Sequence, residues 1–278
     1  MRINSFKVIY FLAVSAIFLA CSKENTDVPV NPLDGLIKLN EGYAIGASVK
    51  AEIWGEKNFY VGYNKLFVVL YDSLNLTDKI TDAHIHFMPV MTMGTGESAM
   101  QDGTPVENPE ERALNGAFGG AIVFTMPTTT GGVWQLGVSV HNHKTGKEGE
   151  AEFDIAVDSP IPSVSTVFIS KPPDNRELVL SLSQPEIPKV GINDIEFTIH
   201  KEVTMMDWQS DDSYTIEITP EMPAMGHGST DNINPVSKGN GHYKGKVNLI
   251  SPGEWKVNVL VKKDGVAVSE NLFFTLTL

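Results

Sequence analysis

VWQLGVSVH, residues 133–141, and EWKVNVLVK, residues 254–262, are one strand written twice. In each, a Trp opens a stripe of four alternate apolar residues: Trp134, Leu136, Val138, Val140 and Trp255, Val257, Val259, Val261. A period of two places all four on one face of an extended strand, with the Trp as its largest packing element. Each stripe follows a Gly-containing turn, Gly131-Gly132 or Gly253. Period-two alternation broken by Gly, Pro, Asn and Asp recurs along the chain, and no long apolar run of period 3.6 follows residue 21. All-helical and α/β folds are thereby excluded.

Other segments match in the same order. Val61-Gly62-Tyr63-Asn64 precedes a strand at 65–71, and Val190-Gly191-Ile192-Asn193 precedes one at 194–200. Pro105-Val106 corresponds to Pro235-Val236, and 116–126 to 241–250. Phe153, Ile155, Val157 and Leu272, Phe274, Leu276 close the two copies. Six or seven strands in each half imply two tandem immunoglobulin-like β-sandwiches, at 35–157 and 164–278. Between them, 158–163 reads as a linker, because Pro160 and Pro162 discourage ladder pairing.

Arg2 and Lys7 precede the mostly apolar run 8–20, which is too short to span a bilayer and reads as a signal peptide over 1–20. It ends in Phe18-Leu19-Ala20-Cys21, which resembles a bacterial lipobox with Phe18 in place of the usual aliphatic residue. That resemblance implies lipidation of Cys21, a tether over 21–34, and a lipid-anchored envelope protein, outer-membrane and periplasmic or surface-facing. Cys21 is the one cysteine, so stability has to come from core burial without disulfides. Removing Arg2 and Lys7 with the leader takes the formal charge from −13 to −15. Such an acidic surface argues against nucleic acid as a partner.

MPVMTMG (88–94) and MPAMGHG (222–228) form a second duplicated phrase. Together with the Val-Gly-x-Asn segments, the Pro-Val segments and the Gly-Trp strands, they make each half resemble a YtkA-like or FixH-like domain. The resemblance implies a secreted or membrane-attached β-sandwich, with copper handling among the contexts of the family. Thioethers are soft ligands suited to Cu(I), and a turn with Met-x-x-Met-x-Met/His spacing brings several to one centre. The candidate ligands are Met88, Met91 and Met93 in the first copy, and Met222, Met225 and His227 in the second. The competing reading is packing: Met fills irregular gaps, and duplication copies a plug as faithfully as a ligand set.

In His84-Ile85-His86-Phe87-Met88, alternation sets Ile85 and Phe87 on one face and His84, His86 and Met88 on the other. His84 and His86 therefore join the candidate ligands. Copy two has Thr215, Glu217 and Thr219 in that outer row. His141 and His143 read as a solvated hairpin tip, and His200 as pointing to water. His242 reads as beside a turn within reach of Met225 and His227, and Met205-Met206 as a second soft patch or, the favoured reading, a minor core. Glu107, Glu110 and Glu111 read as a solvated loop. The residues show no Gly-x-Ser-x-Gly elbow and no His-Glu-x-x-His helix. Two expectations follow: a copper-binding envelope lipoprotein, or a non-catalytic structural or interaction module of an envelope complex; neither is an enzyme.

Overall fold

The structure is a computed structural model that describes residues 31–129, 131–159, 167–170, 176–269 and 271–278, apart from the side chain of Glu97. The signal peptide, Cys21, most of the tether and residues 160–163 of the linker lie outside the described residues.

Alternating sequence becomes alternating strands. The first half contains β1 (Ile37–Ala44), β2 (Val49–Gly55), β3 (Gly62–Asp72), β4 (Asn75–Ile80) and β5 (Ala83–Met93). It continues with β6 (Met100–Gly103), β7 (Val106–Glu107), β8 (Phe118–Phe124), β9 (Gly132–Asn142) and β10 (Lys147–Ile155). The second half contains β11 (Val167–Ser170), β12 (Leu178–Gln184), β13 (Gly191–Thr204), β14 (Asp207–Ser210), β15 (Tyr214–Met222) and β16 (His227–Gly228). It ends with β17 (Ile233–Gly239), β18 (His242–Leu249), β19 (Glu254–Lys263), β20 (Val266–Ala267) and β21 (Leu272–Thr277). The described residues include no α-helix, only a single 3₁₀ turn at Gly96–Ser98. More strands form than the six or seven expected per half, because short edge pieces such as β4, β7 and β14 pair locally with long central strands.

Each half is two antiparallel sheets. In the first, one sheet runs β1-β2-β3-β8-β7 with β4 also on β3, and the other runs β10-β9-β5-β6. In the second, one runs β11-β12-β13-β18-β17 with β14 on β13, and the other is β16-β15-β19-β20 with β21 on β19. Apart from β20, which has no counterpart in the first half, the strand orders correspond element by element, so the duplication read from the Trp strands extends to the topology. We call the β3-containing and β13-containing sheets junction sheets and the other two distal sheets.

The alternate residues fill the cores. Trp134, Leu136, Val138 and Val140 are all buried, as are Trp255, Val257, Val259 and Val261. Trp134 meets Phe124 edge-on at 5.0 Å, and its indole N–H donates to the Met126 carbonyl at 3.0 Å, so the one polar atom of the ring is satisfied. Trp255 does the same with the Ser251 carbonyl at 2.9 Å.

Two further devices are duplicated. Asn64 closes the turn before β3: its amide donates to the Tyr60 and Gly62 carbonyls (2.8 and 2.7 Å) and its oxygen accepts from the Tyr60 N–H (3.1 Å). Asn193 repeats all three bonds before β13, to Lys189 and Gly191, at 2.7–2.9 Å. Gly62 and Gly191 sit at φ of 130° and 100°, a region that favours glycine, which explains the Gly-x-Asn pattern. Likewise the Asn108 side-chain oxygen accepts from the Phe87 N–H (2.8 Å), and that of Asn234 from the Ile218 N–H (3.0 Å).

The junction sheets meet through faces turned away from their own cores. Tyr63, Ala121, Val123 and Val179 form a third apolar cluster there, flanked by Val167 and Trp208. Ser181 and Thr198, on the same outward faces of β12 and β13, are fully covered and share a hydrogen bond at 2.5 Å. The Gly103 N–H donates to the Met205 carbonyl at 2.8 Å, stitching β6 to the β13–β14 turn. Residues 31–278 accordingly cluster as one compact unit.

Candidate functional site

The two Met phrases do not adopt one conformation. Residues 88–93 lie inside strand β5, whereas 223–226 form the turn after β15. Structural equivalence instead pairs Met91 with Met222. Met91 stands opposite Trp134 in the β5–β9 ladder, and Glu221 opposite Lys256 brings Met222 to the level of Trp255. Both are buried, at 2% and 6% exposure. A Cβ on Gly132 would lie 2.4 Å from the Met91 ε-methyl, and one on Gly253 would lie 2.4 Å from that of Met222. Each thioether thus fills the hollow over the glycine that opens its Trp strand, and the Ser251 hydroxyl donates to the Met222 sulfur at 3.3 Å.

Strand parity separates the remaining candidates. Met88 lies over Gly137 on the outward face of β5, opposite in parity to Met91 and Met93, of which Met93 packs against the core. In the second copy Met225 is 66% exposed at the turn, and His227 sits edge-on to Trp255 at 5.7 Å. Ile85 and Phe87 are core residues, and His84 and His86 are exposed on the outer face. His141 is the cross-strand partner of His84, and its ring is 5.3 Å from that of His143. Each of these imidazoles has a polar neighbour: His84 has Glu111 (3.5 Å), His86 has Asn108 (2.8 Å), His141 has Glu148 (3.6 Å) and His143 has Asp82 (2.8 Å).

A cluster of ionisable groups lies at the junction, where three expectations are corrected. His200 faces away from its own core, as alternation requires, yet it is 2% exposed because the first sandwich covers it. Glu107 is a member of β7 and is ion-paired, not part of a solvated loop. Met205 and Met206, expected in a minor core, are each 50% exposed, because their turn meets β6 through backbone.

Local sequence explains how the cluster is positioned. Gly239, Asn240 and Gly241 all have positive φ (95°, 54° and 75°), giving the tight turn that starts β18 at His242. A Cβ on Gly241 would lie 2.5 Å from the Ile199 carbonyl oxygen, so only glycine fits. Across the junction, a Cβ on Gly120 would lie 2.6 Å from both the Glu107 carbonyl oxygen and the Phe87 ring. Its absence lets β7 lie close on β8, with Glu107 opposite Ala121.

His242 bridges two carboxylates from different sandwiches. Its Nδ1 is 2.5 Å from Glu196 Oε1, and its Nε2 is 3.1 Å from Glu107 Oε1. Tyr63 donates its hydroxyl to Glu107 Oε2 at 2.8 Å, and Lys244 Nζ is 3.3 Å from Glu196 Oε2. Contact with Glu107, and then with Glu196, raises the His242 pKa to about 9, so the ring is an imidazolium at neutral pH. Burial is the largest influence on Glu107 and Glu196 and pushes both upward, but His242 with Tyr63 at Glu107, and His242 with Lys244 at Glu196, together outweigh it, and both carboxyls end below their ordinary value. Burial lowers His200 to about 4 against the pull of Glu107, so that ring is neutral. Beside the cluster opens a cleft of about 670 Å³, lined by Glu107, His200, Trp208 and His242 among others.

From sequence, His242 is set only beside a turn within reach of Met225 and His227, and Glu107 and His200 read as solvated. The strand parities of His200 and His242 are legible, but the docking that covers them joins residues far apart in the chain. The Gly-Asn-Gly turn before His242 is the one local signal.

Residues 174–260, within the second sandwich, match the YtkA-like family; the match spans under a third of the chain. No curated protein matches. Among solved structures, the chain is similar to a conserved domain protein from Bacillus anthracis at 11% identity, covering 90% of this chain and 93% of that one, with a TM-score of 0.34. It is also similar to the FdeC adhesin of Escherichia coli (16% identity, 85% and 65% covered, TM-score 0.25). A third is invasin, a bacterial integrin-binding protein (14% identity, 83% and 39% covered, TM-score 0.26). The chain thus spans less than two thirds of the length of the latter two.

Proposed function

We propose that the chain is a non-catalytic module of the bacterial envelope, anchored by lipid on Cys21, in which two docked sandwiches act as one rigid body within an envelope assembly. The observation that supports this is the junction. An apolar cluster and a half-buried Glu107–His242–Glu196 bridge join the halves, where a flexible tandem would leave a wet, weakly packed contact. The test has two arms. Lipid labelling in a bacterial envelope should disappear in Cys21→Ser, and NMR relaxation should give both sandwiches one rotational correlation time. An unlabelled wild type, or two distinct correlation times, refutes the proposal.

A second reading is copper binding on the distal face of the first sandwich, favoured by one observation: His84, His86 and Met88 share the outward face of β5, with His141 opposite His84. Imidazole and thioether suit copper, and the soft sulfur favours Cu(I). This reading rests on that row, because Met91 and Met222 serve their cores. Titration of Cu(I) against a competing chelator should lose a site in the triple variant His84→Ala, His86→Ala, Met88→Leu. Unchanged stoichiometry eliminates it.

A further inference from the structure

We propose that Glu107, His200 and His242 bind a divalent first-row transition-metal ion between the two sandwiches. Two imidazoles and one carboxylate, without sulfur, make a donor set for borderline ions such as Zn(II), Co(II) or Ni(II). Glu107 comes from the first sandwich and the histidines from the second, so an ion here would be shared across the junction.

The geometry supplies the argument. The Nε2 atoms of His242 and His200 lie 3.1 and 4.0 Å from one oxygen, Glu107 Oε1. With metal–ligand bonds of about 2.1 Å, donor atoms in a tetrahedral site are about 3.4 Å apart, so these two spacings bracket that value. Glu107 Oε1 is buried and accepts no hydrogen bond despite the 3.1 Å approach, so the imidazole nitrogen and the oxygen are not aimed along a common line. His200 Nδ1 is also buried without a partner. As the side chains stand, no three His, Cys, Asp or Glu groups among the described residues close around a point. On the Glu107 side, closure needs His200 Nε2 to move from 4.0 Å to about 3.4 Å from the shared oxygen.

The surrounding shell fits the same role. The Glu196 carboxylate on His242 Nδ1 leaves Nε2 as the ligating atom, the carboxylate–histidine–metal arrangement that fixes a ligand's tautomer and raises its basicity. Tyr63 holds the other Glu107 oxygen. His200 is already neutral, whereas the ion must displace the Nε2 proton of His242. One proton is therefore released to solvent per ion bound, and affinity rises with pH. Three protein ligands leave a coordination position, and the adjoining cleft gives it access to solvent.

The test is a titration of the chelator-stripped full chain with Co(II), followed by d–d absorption, and then with Zn(II). One equivalent of Co(II) that Zn(II) displaces is expected. Glu107→Gln and His242→Gln should weaken binding at least about 100-fold, and Glu196→Gln about 10- to 100-fold. The variant His84→Ala, His86→Ala, His141→Ala should bind as the wild type does, which separates this site from the distal face. No saturable band from the wild type, a readout independent of any variant's folding, overturns the proposal. So does a band that survives Glu107→Gln, or one that goes with the distal histidines.

Discussion

Raising the pH of the metal-free chain should weaken it through His242, and lowering the pH should weaken it through His200. His242 rises from 6.5 to about 9 on folding. Its stabilisation is therefore complete below 6.5 and is lost as the pH climbs toward 9. Fully converted, that rise is worth about 3 kcal/mol. The side chain is 21% exposed at the mouth of the cleft, and solvent screening leaves about 2 kcal/mol. His200 runs the other way, from 6.5 down to about 4. The folded state keeps it neutral, so a penalty absent above 6.5 grows to about 3 kcal/mol as the pH falls toward 4. Glu107 and Glu196, both lowered, add a further loss below 4.5, their ordinary value. The two histidines share one pivot, and stability should form a dome centred near 6.5. Urea midpoints in chelator between pH 4.5 and 9.5 measure it. His242→Gln should flatten the alkaline limb and His200→Gln the upper acid limb, each sparing the other. An alkaline limb unchanged in His242→Gln would show that the imidazolium bridge does not hold the junction.

Other expectations follow from the duplicated devices. Met91→Ala and Met222→Ala should each cost about 2–5 kcal/mol in denaturant midpoint, whereas Met225→Ala should cost under about 0.5 kcal/mol; equal costs would contradict the plug role. Asn64→Ala and Asn193→Ala should each destabilise by about 1–3 kcal/mol by stranding buried backbone groups of the turn, and a silent change in either refutes that account. Gly253→Ala should cost more than Gly132→Ala in thermal melts: both press on a Met methyl, but Gly253 also has φ of 128°. A larger effect at Gly132 would show that contact, not backbone conformation, dominates. Lys65→Ala, which removes an exposed pair with Glu186 across the junction, should change stability by less than about 1 kcal/mol; a larger loss would mean that this surface pair carries docking energy.

The fold was legible because its determinants are local. Trp134 and Trp255 announce their strands by alternation, and Gly62-x-Asn64 and Gly191-x-Asn193 announce the turns before β3 and β13. The Met phrases are where letters and register part. Letters repeat at 88–94 and 222–228, but register, which depends on pairing with β9 and β19, slides the match so that Met91 corresponds to Met222. Facing was readable for His84 and His86, where the outer side of β5 meets solvent. It failed for His200 and Glu107, because outward from one core is inward to the junction, and docking is a property of two surfaces that no local pattern records.

The way the halves join limits what could be added. Each sandwich contributes the outward side of the same sheet, but through non-equivalent strands: Tyr63, Ala121 and Val123 of the first meet Val179 of the second. By ladder position their counterparts are Ile192, Lys246 and Asn248 in the second copy and Lys50 in the first. The union is therefore head-to-tail in kind, not two-fold, and a third repeat spliced onto the chain would meet lysine and asparagine where this junction is apolar, and would hang as a loose bead.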